Sequence, residues 1–489
     1  MTNIRDIPRV TLPKTDAGND PGDYKDDPEI AAQLKADVDA ATMKAINART
    51  DDPPVVGALM QNPTEDNVAL AFGERHKGEF AYLHGTGRWF RWIGTHWEPD
   101  VKGQVFHEIR DLARAYNAKG TAYAAKASFV SGVAKLCSFD PAFSRDAAAF
   151  DGDNYLLNCP DGTYDLRTSL CRPHNPDDCI THCTPVSPCA SGGEVFLKFM
   201  GEITDGNKGL EAFLQRALGA CLSGAVEEHW IMFWTGSGRN GKNTLGDLVV
   251  WLMGDYAGVI PSSTLMTQKN PAHKTEIMSL KGKRLVAAGE IEEGSFWAES
   301  KLKEFTGDEY LVGNYMHQDH IQFRRTHKHL IYGNHRPQLR SLDEAMKSRM
   351  KIVPFSVSFA GREDMDLPSK LKAEAEFILN WLMDGHRLWM AAGKKIGTCT
   401  AIEAEAKDYF ESQSTVELWI AECCDIEKNP EDAASSYAKA NDAYNNYNEW
   451  KKSRGEIPMS ATRFGEQITP RFMKKSSNGV RYVGLRLKT

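Results

Sequence analysis

The chain has 489 residues, 41% of them hydrophobic and 26% charged, with a formal net charge of -7. That balance fits a globular protein of several domains and excludes a uniformly basic nucleic-acid coat. No run of about 18 apolar residues offers a membrane span, and the N-terminal MTNIRDIPRVTLPKTDAGND lacks the apolar core of a signal peptide. Ten cysteines in a chain this long make no disulfide framework, and the expected compartment is the cytoplasm.

Residues 1–75 carry scattered acids, several prolines and few aromatics, which predicts a largely disordered tail that could hold one Ala-rich helix over Ile30–Arg49. Residues 76–193 read as an α+β domain. Its FAYLHGTGRWFRWIGTHWEPD, with Gly85, Gly87 and Gly94 at turns, predicts short antiparallel strands. Trp89, Trp92 and Trp97 are able to stack on bases, but aromatics in a small β-unit more often form its core. A helix is expected over Val105–Lys135, then hairpins in DGDNYLLNCPDGTYDLRTSLCRPHNPDD. Cys159, Cys171, Cys179, Cys183 and Cys189, with His174 and His182, are soft enough to ligate zinc, yet no C-x2-C pair occurs.

Across residues 194–360 the apolar runs HWIMFWTG, KRLVAAGE and KHLIYGN alternate with helix-length segments. That pattern predicts a parallel sheet covered on both faces. Residues 361–414 read as a helical connector, with apolar residues at helical spacing over Leu367–Met390. Residues 415–489 end in KKSSNGVRYVGLRLK, where Asn478-Gly479 marks a hairpin. Helices followed by such a hairpin predict a winged-helix-like C-terminal domain with a basic wing at Lys474–Lys488.

The sharpest signal is Gly236-Ser237-Gly238-Arg239-Asn240-Gly241-Lys242-Asn243-Thr244, which fits G-x4-G-K between an apolar strand and a helix. Glycines let successive N–H groups wrap phosphates, and Lys242 reaches the β/γ oxygens. Asn243 stands where a hydroxyl normally ligates Mg2+, so Asn243 or Thr244 takes that role. KRLVAAGEIEE predicts a strand ending at Glu290, with Glu292 and Glu293 just beyond, the place for an acid that holds Mg2+ and polarises water. A further strand, HLIYGN, ends in Asn334, where a polar side chain senses the γ-phosphate. Arg349 follows in AMKSRMKIVPF; by itself it reads as a surface ion pair.

In order, GSGRNGKNT, RLVAAGEIEEG, WAESKLKEFTGDEYLVGNYMHQD and LIYGNHRPQLRSLDEAMKSRMKIVPF resemble the superfamily 3 helicases. More narrowly they resemble the phage/plasmid primase–helicase family, whose helicase domain is shared with the poxvirus helicase-primase. The match runs over about Val195–Phe355, and the flanks resemble the family's preceding domain and winged-helix tail.

The resemblance implies an α/β fold with an AAA+-like P-loop ATPase core, assembled as a homo-oligomeric ring, a hexamer, around single-stranded or forked DNA. ATP and Mg2+ would lie between subunits. Lys242, Glu290 and Glu292 would act in one subunit with Asn334 as phosphate sensor, while Arg349 would come from the neighbour. Glu290 and Asn243 or Thr244 would hold the metal. A channel hairpin with its tip near Met316–His320 would grip DNA through His317, Gln318 and His320. Lys328 would add charge from the basic run Phe323–Lys351.

The expected activity is that of a replicative DNA helicase of a phage or mobile element in a bacterial cytoplasm, with a separate primase or other replication proteins as partners. The alternatives are an ATP-gated origin-binding scaffold, or the helicase half of a primase–helicase primed by another chain. Asp151 and Asp153 read as turn formers rather than as two-metal carboxylates.

Overall fold

The computed structural model describes residues 63–117, 122–146, 149–268, 275–314, 320–339, 344–413, 415–427, 437–454, 457–469, 471–476 and 480–488. The chain divides into two compact units. One holds the segment ending at Arg75 together with Gln104–Cys137, and the other holds His76–Gly103 and Ser138–Thr489.

The first unit is helical. Glu65–Arg75 buries Val68 and Phe72, so the last turns of the segment expected as tail are ordered helix. The expected helix at Ile30–Arg49 lies outside the described residues. Gln104–Tyr116 buries Val105, Ile109, Leu112 and Tyr116, one face at helical spacing. A separate helix follows at Ala127–Phe139, so the single helix expected over Val105–Lys135 is two.

The second unit opens with β1 (Phe80–Leu83), β2 (Arg88–Trp92), β3 (Trp97–Pro99) and β4 (Ser144–Arg145), ordered β3-β2-β1-β4. Trp89 and Trp97 are core residues of this sheet, and Trp92 packs half-buried against Trp97. An antiparallel meander follows: β5 (Leu156–Cys159), β6 (Gly162–Asp165) and β7 (Leu170–Arg172). Around it the Cys and His side chains scatter. His174 meets Asn158 Oδ1 at 2.9 Å, and His182 faces Asp151 Oδ1 at 3.1 Å while stacking on Tyr256. Among the described residues no three His, Cys, Asp or Glu side chains converge on a metal position.

The centre of the unit is built from β8 (Ile231–Thr235), β9 (Ala257–Val259), β10 (Leu285–Gly289), β13 (Lys328–Gly333) and β14 (Met350–Pro354). They pair in parallel in the order β14-β8-β13-β10-β9. Between β10 and β13 the chain forms an antiparallel pair, β11 (Tyr310–Gly313) and β12 (Ile321–Arg324). Alternate residues of each sheet strand enter different cores. Ile231 and Phe233 pack with Trp297, Leu302 and Phe305 on one face, whereas Met232 and Trp234 pack with Phe213, Leu245 and Leu382 on the other. Burial on both faces is why these strands read as continuous apolar runs rather than alternating ones.

After the helices Leu367–Ala373, Ala375–Ala391 and Thr400–Gln413, the chain forms a region with its own core of Trp419, Tyr447, Phe464 and Tyr482. It contains the helices Thr415–Cys423, Ala440–Ser453 and Ala461–Ile468, with β15 (Cys424–Ile426), β16 (Tyr437–Lys439), β17 (Lys474–Ser476), β18 (Val480–Val483) and β19 (Leu485–Leu487). β17 pairs with β18 where the hairpin is expected; its turn lies outside the described residues. Among the described residues no helix is long and apolar enough to cross a membrane.

Candidate nucleotide site

Strand β8 delivers the chain to Gly236, and the helix Lys242–Met253 begins six residues later. The loop between them needs its glycines. A Cβ on Gly236 would sit 2.1 Å from Asn240 Nδ2 and 2.4 Å from the Phe355 carbonyl, while Gly238 and Gly241 have φ of +93° and +83°. Asn240 is buried and donates from Nδ2 to the Phe355 carbonyl at 3.0 Å, fastening the loop to the end of β14. Lys242 is 2% exposed; its Nζ donates to Asn334 Oδ1 at 2.5 Å and lies 3.4 Å from Asn240 Oδ1. Burial pushes this ammonium below the usual lysine range. No carboxylate among the described residues pairs with it.

The sheet order brings the other expected residues to the same end. Asn334 follows β13, the neighbour of β8, and Glu290 follows β10, one strand further on. Sites gather at the carboxyl ends of parallel strands because the loops leave there. Glu290 is exposed and has φ of +48°, uncommon for a side chain with a Cβ, and its carbonyl accepts from Ser262 Oγ at 2.8 Å. Glu292 and Glu293 are exposed beyond it.

Beside the loop lies a cavity of about 350 Å³ whose walls include Phe199, Arg239, Thr244, Phe359, Arg362 and Leu367. Thr244 faces this cavity, whereas Asn243 is exposed. One turn on from Asn243, Gly246 packs under the Tyr332 ring of β13, and Asp247 accepts the Tyr332 hydroxyl at 2.8 Å. Asn243 therefore belongs to the helix face turned toward β13 and Thr244 to the cavity face. Phe199, Phe359 and Arg362 escaped the sequence reading because apolar and basic residues without a fixed spacing carry no motif. One signal was available: the second Phe in FSVSFAGRED, just past β14, whose N–H donates to the Arg239 carbonyl at 2.8 Å.

Arg349 occupies the opposite end of the sheet, immediately before β14. A five-residue strand spans about 15 Å, which separates it from its own chain's Gly236 loop. Its Nε donates to Thr306 Oγ1 at 3.2 Å and its Nη1 to the Ala345 carbonyl at 2.9 Å.

The basic run around it does not form one face, and Lys328 requires a correction. It is 4% exposed, with Nζ donating to the carbonyls of Ala220 at 2.9 Å and Ser223 at 2.6 Å. The first residue of a fully packed central strand has no route to a DNA phosphate. Arg325 is buried as well, and Arg336 pairs with Asp408 at 2.8 Å and with Glu405. His320 is exposed just before β12, while His317 and Gln318 lie outside the described residues.

Two family profiles match the chain. One is described as D5 N terminal like, over residues 69–205, and the other as a family of unknown function (DUF5906), over residues 234–349. Among individual proteins, the L207/L206 protein of Acanthamoeba polyphaga mimivirus, provisionally named a helicase, is 28% identical over 257 residues. That alignment covers 50% of this chain and 26% of the relative. The C962R protein of African swine fever virus, provisionally named a primase, is 25% identical over 224 residues, 42% of this chain and 23% of the relative. The chain thus spans about a quarter of the length of these relatives. Among solved structures, the apo C-terminal region of NrS-1 in its A form is 12% identical with a TM-score of 0.49, covering 88% of this chain and 100% of that one.

Proposed function

We propose that the chain is a member of the primase–helicase family of phages and large DNA viruses, which its two profile matches and its viral relatives support, and that it is an ATP-driven DNA helicase acting in replication. The observation that carries this reading is the buried Lys242 ammonium, held against Asn334 at the carboxyl end of a parallel sheet with an exposed acid, Glu290, one strand away. Counted along the chain, the sheet strands lie fifth, first, fourth, third, second, an order that supports the AAA+-like reading.

In this reading the loop Gly236–Lys242 wraps the phosphates with main-chain N–H groups, and Gly238 and Gly241 supply the left-handed turns this needs. A desolvated ammonium with only amide oxygens for company gains strongly from a phosphate oxygen. When Lys242 turns to the β/γ oxygens, Asn334 is released to hydrogen-bond the γ-phosphate and the attacking water. The nucleoside takes the cavity between Phe199 and Phe359. Mg2+ fits the donor set: Glu290 offers a carboxylate, and Asn243, on the β13 face of its helix, offers a carbonyl oxygen in preference to Thr244. The ion would neutralise charge on the phosphates. Glu290, with Glu292 beside it, would accept the proton of water.

Arg349 lies too far from its own loop to serve it. This supports assembly as a ring, a hexamer by family resemblance, in which each Arg349 faces the neighbour's ATP. The antiparallel pair β11–β12, with His320 at its exposed end, would hold DNA in the ring. The exposed Lys474 and Lys475 of a winged-helix-like C-terminal region would meet the duplex ahead of it.

The test is ATP hydrolysis with and without single-stranded DNA, wild type beside Lys242→Ala. Turnover stimulated by DNA and abolished by the substitution is expected. Assembled, soluble wild-type protein with no turnover would sink the motor reading in favour of an origin-binding scaffold.

A further inference from the structure

We infer that Thr306 and Gly307 form the seat that aims Arg349 at the neighbouring subunit, an inference that rests on the trans-acting role proposed above. The helix Glu299–Gly307 ends beside the start of β14, and its last two residues meet the guanidinium. Thr306 is fully buried; its hydroxyl donates to the Leu302 carbonyl at 2.6 Å, which leaves Oγ1 an acceptor for Arg349 Nε at 3.2 Å. Nη1 is bound to the Ala345 carbonyl. Two acceptors on two different segments fix the plane of the guanidinium as well as its position.

Gly307 contributes by having no side chain. A Cβ there would stand 3.3 Å from Arg349 Nη2 and 3.6 Å from His229 Nδ1, so the guanidinium and the imidazole share the space over this glycine. A Cβ at 3.3 Å is tight, so the guanidinium would have to give by a few tenths of an ångström. Burial, then the nearby Arg325 and Arg349 charges, hold His229 below the usual imidazole range and keep it from adding a cation. Among the described residues no carboxylate pairs with Arg349. Among the described residues Nη2 has no protein acceptor, while the other two nitrogens of the guanidinium are fastened. A surface arginine that only balances charge has an acid beside it; an arginine oriented by neutral acceptors is set for an anion from outside the chain. Thr306 and Gly307 touch neither substrate nor the reacting atoms and are positioning residues.

The experiment is steady-state ATP turnover of the full chain with single-stranded DNA for wild type, Arg349→Ala, Thr306→Val and Thr306→Ser. Each is also mixed with Lys242→Ala before assembly. Losing the hydrogen bond to a charged group predicts that Thr306→Val lowers kcat about tenfold, with KM for ATP within about twofold. Thr306→Ser, which keeps the acceptor, recovers most of that loss. In mixed rings Thr306→Val with Lys242→Ala exceeds both parents, since some interfaces then combine an intact loop with an intact seat. Thr306→Val with Arg349→Ala gains nothing.

Wild-type kcat in Thr306→Val beside an impaired Arg349→Ala would overturn the seat and leave the trans arginine standing. Wild-type kcat in Arg349→Ala would overturn both. Recovery of Thr306→Val by Arg349→Ala would place Thr306 in its own chain's site and also overturn the seat. If the valine variant fails to fold, Gly307→Ala carries the same mixing test, with the same expected partner for recovery.

Discussion

Two lysines sit at opposite ends of the parallel sheet, Lys242 at 2% exposure and Lys328 at 4%. Their burial is alike and their acceptors are not. Lys242 meets the side-chain amides of Asn334, exposed on the loop after β13, and Asn240, buried in the Gly236 loop. Lys328 meets two main-chain carbonyls, those of Ala220, where the helix Lys208–Ala220 ends, and Ser223 just past it. It satisfies groups that a helix end otherwise leaves open, and there is nothing for a ligand to displace. Burial alone therefore does not mark a candidate functional lysine; the kind of acceptor it meets, side-chain amide or main-chain carbonyl, separates the two.

The surroundings sharpen the contrast. At the Lys328 end the helices Lys208–Ala220 and Ala375–Ala391 cross closely at Gly219 and Gly385. A Cβ would fall 2.3 Å from His386 N at the first and 2.0 Å from the Gln215 carbonyl at the second. Arg284 donates to the Leu222 and Leu156 carbonyls at 2.6 Å each and lies 4.1 Å over the Tyr256 ring. This end is a packed joint between the meander, the sheet and the helices. The other end is loops.

The comparison is most directly broken by exchanging the losses. Lys242→Ala should lower ATP turnover by at least about a hundredfold while leaving the melting midpoint almost unchanged, since in the proposed reading it removes a group aimed at charge that develops in the reaction. Gly385→Ala should do the opposite. Forcing a Cβ into a main-chain carbonyl costs about 3 kcal/mol or more, read as a strongly lowered melting midpoint. Lys328→Met keeps the apolar stem and strands two buried carbonyls, a loss of about 2 kcal/mol. DNA affinity per folded molecule should not change; a weakened salt dependence of binding would restore Lys328 to the DNA surface.

The same residue gives a pH signature. Burial pushes the Lys328 ammonium down to about 7, below an unfolded value of about 10.4. The unfolded chain then holds more protons between those values, so wild-type stability should rise relative to Lys328→Met as pH increases from about 7 toward 10. Thermal melts of both proteins across that window check the sign. Smallest is Arg336→Ala, which removes exposed pairs to Asp408 and Glu405 and should cost below about 1 kcal/mol. A larger loss would mean that Arg336 fastens the helix Thr400–Gln413 to the nucleotide end of the sheet.

The sequence by itself determined the strands and the candidate chemistry that needs only local spacing. IMFWT, LVAAG and KHLIYG read as buried strands because every residue in them is apolar or tolerates burial on its flank. Gly236–Thr244 read as a phosphate loop because glycine positions and a lysine are specified within nine residues. Glu290 and Asn334 were legible because the residue that ends a parallel strand is set by the strand itself. Charge was not legible in the same way. Phe323–Lys351 looks like one basic stripe, yet its members start strands, pair with Glu405, Asp408 and Glu344, or cap a helix. Only the tertiary structure decides which neighbours a long side chain meets.

The cavity of Phe199 and Phe359, the Lys328 joint and the seat of Arg349 each join segments far apart in the chain. The free energy that selects them comes from packing across those segments. No window of sequence contains both halves of any one of them.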